Sequence, residues 1–219
     1  MMNHPLPHVI HGNHFWLSPQ RCIFWEEENA IIVSDMHIGK AGHFRRSGIA
    51  VSQRIYTEDL QRLLASILFF KVDKLIVVGD LSHSKSNKEM ELFQRWRNDF
   101  PSLTIHLIRG NHDILKESWY KESKITVHHD NYTIGNFCFC HDACEEEQKQ
   151  GSYVFSGHIH PGVKVKGMAH QSLSFPCFYF TASYCVLPAF SKFTGLAMIK
   201  PVKGESVFAI VENEVMKIR

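Results

Sequence analysis

Three apolar runs, each closed by metal-ligand residue types, constrain this chain more than any other feature. Lys74 to His83 reads Lys-Leu-Ile-Val-Val-Gly-Asp-Leu-Ser-His. Four consecutive apolar residues, Leu75 to Val78, are the pattern of a parallel strand covered on both faces. Gly79 then permits a sharp turn and leaves Asp80 at the carboxyl end of the strand, where open α/β sheets bind ligands. Ala30 to Ser34 repeats the arrangement and runs into Asp35-Met36-His37. Thr104 to Ile108 repeats it again, before Gly110-Asn111-His112-Asp113.

Helical segments separate these runs. From Val51 to Phe70 the apolar positions Ile55, Leu60, Leu63, Leu64, Ile67 and Leu68 fall at helical spacing, which predicts a crossover helix. Lys88 to about Phe100 predicts a second helix with Leu92, Phe93 and Trp96 inward, closed by Pro101. The layout is βαβαβ, with all three strand tips on one edge of a sheet. Asp35 and His37, two apart at a strand end, are expected to point to the same side. Lys40 to Arg54, with Lys40, His43, Arg45, Arg46 and Arg54 between glycines, reads as a loop, either solvated or in contact with a phosphate backbone.

The rest of the chain is strand-like. Residues 1–29 carry His4, His8, His11 and His14 in what reads as an irregular arm and a first strand, with a hairpin joining His14–Leu17 to Arg21–Trp25. Ile125–His128, Tyr132–Ile134 and Phe137–Cys140 are short strands, the last leading into His141-Asp142. Tyr153–Ser156 leads into Gly157-His158-Ile159-His160, past a solvated Glu145 to Glu147. Val163–Val165, Cys177–Phe180, Leu196–Ile199, Val207–Val211 and Val215–Ile218 follow. With 219 residues, 44% of them apolar, and no linker or repeat, the chain predicts one domain over residues 1–219.

Fifteen histidines are many for this length, and several adjoin Asp, Asn or Gly. A net charge of +2 neither demands nor excludes a nucleic-acid partner, so any basic surface must be local. The six cysteines (Cys22, Cys138, Cys140, Cys144, Cys177 and Cys185) contain no Cys-x-x-Cys pair, and no basic segment followed by an apolar one opens the sequence. Both observations predict a reducing cytoplasm. No apolar run approaches the ~18 residues of a membrane helix, which predicts no membrane partner.

Five strand ends now offer seven ligands: Asp35/His37, Asp80, Asn111, His141 and His158/His160. Oxygen and imidazole donors without thiolate suit Mn, Fe, Zn or Mg. Seven ligands are too many for one ion and suit two ions bridged by a carboxylate. Such a pair suits hydrolysis of a phosphate ester, which requires a nucleophile at neutral pH and relief of charge on the phosphoryl oxygens.

In this order, Asp-x-His, Gly-Asp, Gly-Asn-His-Asp, His and Gly-His-x-His resemble the calcineurin-like metallophosphoesterase superfamily. The resemblance implies an α/β fold, a sandwich of two mixed β-sheets flanked by helices with a dinuclear metal site at the strand carboxyl ends. It implies that Asp35, His37 and His160 hold one metal, that Asn111, His141 and His158 hold the other, and that Asp80 bridges them. His112 would lie outside the metal shell and donate to the phosphate or the leaving oxygen, with Asp113 orienting it. His141 is preferred over His128 and His129 because it directly follows a strand. His106 and His170 read as structural or solvent-facing.

Gly-Asp-Leu-x-His, ending at His83, is similar to repair nucleases of the SbcD type, in which the extra histidine lies near the substrate phosphate. Phe175-Pro176-Cys177-Phe178 and the stretch from Val186 to Gly195, Val-Leu-Pro-Ala-Phe-Ser-Lys-Phe-Thr-Gly, resemble the bacterial DNA-ligase-associated metallophosphoesterases. That likeness implies a manganese-dependent DNA-repair endonuclease or phosphodiesterase, functionally associated with an ATP-dependent DNA ligase, a helicase and an exonuclease. Lys40, Arg45, Arg46, Lys85 and Arg109 would line its groove. The competing reading is a phosphodiesterase or phosphatase for small nucleotides or phosphoproteins.

Overall fold

Successive side chains of a strand face opposite sides of the sheet, so an unbroken apolar run needs an apolar partner on each face. A computed structural model, which describes residues 4–52, 54–83, 87–142, 151–166 and 172–219, supplies both partners. The first sheet runs in chain order through β1 (Leu6–Ile10), β2 (Asn13–Ser18), β3 (Cys22–Trp25), β4 (Ala30–Val33), β5 (Lys74–Val78), β6 (Thr104–Ile108) and β7 (Ile125–His128). Strands β1 to β4 pair antiparallel and β4 to β7 parallel. On one face Ile31, Val33, Leu75, Val77, Ile105 and Leu107 pack against α2 (Arg54–Phe70), α3 (Lys88–Asn98) and α4 (Glu117–Glu122) through Leu63, Ile67, Phe93 and Trp119.

The alternate residues Ile32, Ile76, Val78 and Ile108 face a second sheet across a core rich in phenylalanine. That sheet contains β8 (Asn131–Ile134), β9 (Phe137–Cys140), β10 (Tyr153–Ser156), β11 (Pro161–Lys166), β12 (Ser172–Phe180), β13 (Tyr184–Val186) and β14 (Ala197–Met198), in the order β14-β11-β12-β13-β10-β9-β8. Strand β15 (Ser206–Val211) branches from β12 and carries β16 (Glu214–Lys217). Strands β9, β10 and β13 are parallel to one another and β12 is antiparallel to β13, so this sheet is mixed too. The expected sandwich of two mixed sheets is the observed fold, with the helices on the outer face of the first sheet.

Three features differ from the sequence expectation. The loop expected from Lys40 to Arg54 contains a helix, α1 (Lys40–Arg46), held by tertiary contacts rather than propensity: Arg45 pairs with the buried Glu89 and the Asn87 amide donates to the Gly39 carbonyl. The N-terminal arm is a regular strand, β1, turned into β2 by His11 and Gly12, both at positive φ. Strand β13 and helix α4 were not anticipated; β13 is three residues long and gives no periodic signal. Lys85, Cys144, Glu145 to Glu147 and His170 lie outside the described residues. Cys22, Cys138, Cys140, Cys177 and Cys185 are buried thiols, and no described helix is long and apolar enough to cross a membrane.

Phe155 is fully buried between the sheets and packs on Phe15 at 5.1 Å and on Phe139 at 5.5 Å. Phe155→Ala is expected to cost about 3–5 kcal/mol, read from urea denaturation. A loss below about 1 kcal/mol would contradict this packing.

Candidate metal centre

Parallel register carries the site past the strand ends. After β4 stops at Val33, the Asp35 N–H donates to the Gly79 carbonyl at 3.1 Å and the His37 N–H to the Asp80 carbonyl at 2.8 Å. Met36 and Ile38 fall into the helix-side core, so Asp35 and His37 share the opposite side, as expected. The backbone there is not extended strand, however: Asp35, His37, Asp80, His158 and His160 all have φ between 48° and 67°. Each such residue costs about 1–3 kcal/mol unless its surroundings fix it, and strain of this kind gathers at functional sites.

Glycines make the convergence possible. A Cβ on Gly79 would lie 1.8 Å from the His141 Nδ1, and one on Gly110 would lie 2.2 Å from the Asp80 Oδ1. The glycine ahead of Asp80 and the one ahead of Asn111 are therefore the empty spaces that admit a ligand from a neighbouring segment.

Two clusters result. Asp35, His37 and His160 bring ligand atoms within 4.8 Å of one another, with the His37 Nε2 and His160 Nε2 3.3 Å apart and the His160 Nε2 3.4 Å from the Asp35 Oδ1. Asp35, Asp80 and His141 form the second group. Around the His141 Nε2 stand the Asn111 Oδ1 at 3.1 Å, the His158 Nδ1 at 3.1 Å and the Asp80 Oδ1 at 3.6 Å. The other Asp80 oxygen lies 3.9 Å from the His37 Nδ1, so this carboxylate reaches both clusters. All seven expected ligands thus meet at one edge. The rivals of His141 do not join them: His128 stacks on Tyr132 at 4.2 Å, and His129 adjoins Arg109.

The electrostatics fit divalent cations. Asp35 and Asp80 are both buried, and burial, reinforced by the charge of Asp35, pushes the Asp80 carboxyl up. Burial drives the His37 imidazole down to about 2, aided by the charges of Lys40, His160, His83 and His112. A neutral imidazole keeps its lone pair for a metal. Two buried carboxylates ringed by imidazoles and an amide oxygen, without thiolate, match hard to intermediate cations such as Mn, Fe, Zn or Mg.

The calcineurin-like phosphoesterase family model matches residues 29–126, which include Asp35, His37, Asp80, Asn111 and His112. Among solved structures, the nuclease MPE of Pseudomonas putida is 28% identical, with a TM-score of 0.82 over 99% of this chain and 100% of that one. Yfce, a phosphoesterase from E. coli, is 14% identical with a TM-score of 0.44, over 85% of this chain and 95% of that one. No curated protein sequence matches. Residues 29–126 of this chain are thus similar to the calcineurin-like phosphoesterases.

Around the expected ligands the structure places groups the motif expectation described differently. Asp113, expected to orient His112, accepts instead from the Ser82 N–H at 2.9 Å and the Gly110 N–H at 3.0 Å. It fastens the β5 tip to the β6 tip from a buried position that pushes its carboxyl up to about 6. The His112 ring stacks on His83 at 4.5 Å, and the His112 N–H donates to the Asp80 Oδ1 at 2.9 Å. His83 also meets the His37 Nδ1 at 3.4 Å, and burial drives its imidazole down to about 4.

A further support lies within the Val186 to Gly195 stretch, whose likeness gave no indication of where it sits. The segment from Leu187 to Ser191 runs beneath the site, its Phe190 and Ser191 N–H groups donating to the Ser34 and Asp35 carbonyls. Arg21 holds the Ala189 and Ser191 carbonyls, and Arg62 holds that of Phe190. These contacts pin the strained backbone of Asp35 through main-chain groups of the segment, which the Arg21 and Arg62 side chains hold in turn.

Occupation by Mn²⁺ at about 100 times its Kd should raise the melting temperature roughly 5–10 °C above that of chelator-treated protein. Gly110→Ala should retain the fold by circular dichroism and lose most of that shift. An undiminished shift in the variant would contradict the close approach of Asp80.

Proposed function

We propose that this phosphoesterase is a nuclease or phosphodiesterase of the DNA-ligase-associated type, working with manganese on DNA in the cytoplasm during repair. The observation that carries the proposal is similarity along the whole chain to a nuclease, with both ligand clusters at an exposed sheet edge. An open groove of about 520 Å³ flanks the second cluster, lined by Arg109, Asn111, His129, Asp130, His141 and His158, among others. Buried thiols accord with a reducing compartment.

In this proposal Asp35, His37 and His160 hold one ion, Asn111, His141 and His158 the other, and Asp80 lies between. Two divalent ions there would supply an activated water and neutralise charge on the phosphoryl group. His112 donates the proton that the departing oxygen needs when the P–O bond breaks. His83, stacked on that ring, lies near the substrate phosphate. Asp113 acts at one remove by keeping the tips of β5 and β6 together.

A second reading, hydrolysis of small nucleotides or phosphoproteins, is favoured by what became of the expected basic groove. Arg45 is engaged by Glu89 and the Val51 carbonyl, and Arg109 by Glu117 and the Tyr120 ring. Of the five side chains expected to line the groove, Lys40 and Arg46 remain among the described residues.

Turnover with Mn²⁺ on single-stranded DNA, double-stranded DNA, a 2′,3′-cyclic nucleotide and a phosphomonoester separates the two. DNA cleavage that disappears in Asp80→Asn is the expected result; turnover of the small substrates alone would overturn the nuclease assignment. His112→Ala should keep both metals and lower kcat roughly 10²- to 10⁴-fold. Loss of metal in that variant would make His112 a ligand. His83→Ala should depress DNA cleavage more than small-substrate turnover, and equal effects would remove its substrate role.

A further inference from the structure

Lys40 stands at the flank of the first cluster, three residues after His37, and its ammonium is half-buried. Among the described residues, no carboxylate lies within ion-pairing distance of it. The charges that attract it are those of Asp35 and Asp80, the carboxylates that face the metal positions. Filling those positions with divalent cations would leave a partly desolvated ammonium facing like charge, an arrangement that is costly without an anion beside it.

The Lys40 ammonium is held where an anion could reach it. It sits over the Phe193 ring, 5.9 Å from the centroid, and Phe193 meets Phe44 edge-on at 5.5 Å. Phe193 is itself fixed to the site: its N–H donates to the Ser191 Oγ at 3.2 Å, and the Ser191 N–H donates to the Asp35 carbonyl. His37, Lys40, Phe190, Ser191 and Phe193 also border one small, mainly apolar cleft with Met36, Ile38 and Tyr56. The tail segment between Val186 and Gly195 thus sets the position of a cation beside the metal edge.

We propose that Lys40, seated on the Phe193 ring, binds the phosphate next to the scissile one in a nucleic-acid strand. This rests on the nuclease assignment and specifies it: the substrate must carry at least two phosphates, one at the clusters and one at Lys40. Phe193 acts as a positioning residue through the cation–π contact, a weak but directional attraction.

The test is the salt dependence of single-stranded oligonucleotide binding, measured by fluorescence anisotropy in the slowly turning His112→Ala background. A lysine that neutralises one phosphate contributes about 0.7 to the slope of log K against log salt on a single strand. Lys40→Gln should weaken binding and reduce the slope by about that amount; Lys40→Arg should preserve the slope. Phe193→Leu should weaken binding while the slope stays, because the charge remains. In parallel, with His112 intact, Lys40→Gln should lower kcat/KM for the oligonucleotide at least fivefold more than for bis(p-nitrophenyl) phosphate, which has one phosphate. An unchanged slope, or equal losses on both substrates, would overturn the role of Lys40 while leaving the nuclease assignment standing. A wild-type protein that hydrolyses the small diester and neither binds nor cuts DNA would overturn both.

Discussion

Two buried carboxylates, Asp35 and Asp80, impose the constraint on which the site is built. They share one ligand cluster, where burial and the charge of Asp35 oppose ionisation of Asp80. Burial holds the His37 imidazole neutral, and ring nitrogens of His37 and His160 and of His141 and His158 face one another at 3.3 and 3.1 Å. A pair of divalent cations would resolve the conflict, since each carboxylate would then face positive charge and the neutral His37 would have a use for its lone pair.

Holding that arrangement requires a backbone that would not adopt it unaided. Five of the seven ligands have left-handed φ, so the surrounding structure must fix them. Continued parallel pairing between the β4 and β5 tips does part of this, through the Asp35 and His37 N–H groups. Asp113 does another part by joining the loops after β5 and β6. The tail does the rest, with Arg21 and Arg62 clamping the carbonyls of a segment whose N–H groups hold Ser34 and Asp35. Residues far apart in the chain are thus committed to one edge of two sheets.

What was legible in the sequence follows from the same physics. Strands β4, β5 and β6 are covered on both faces, so they appear as unbroken apolar runs; their tips appear as Gly-Asp and Gly-Asn-His because the glycines are needed for space as well as for turning. The expected ligands Asp35, His37, Asp80 and Asn111 could be read for that reason. Helix α1 could not, since its seven residues depend on the Arg45–Glu89 pair and the Asn87 amide rather than on an apolar stripe. Asp113 looked like a partner of His112 because it is adjacent in sequence, yet its carboxylate turns toward backbone N–H groups instead. The Leu187 to Ser191 segment acts through main-chain atoms, which any residue supplies, and the basic groove shrank because Arg45 and Arg109 found acids that sequence distance concealed.

The central claim is that one carboxylate joins two metal positions in a single centre. Electron paramagnetic resonance of the protein loaded with two equivalents of Mn²⁺ tests it most directly. The account predicts a spin-coupled dinuclear spectrum, with exchange carried through a shared bridge. Two independent six-line signals, or saturation at one ion per chain, would contradict it.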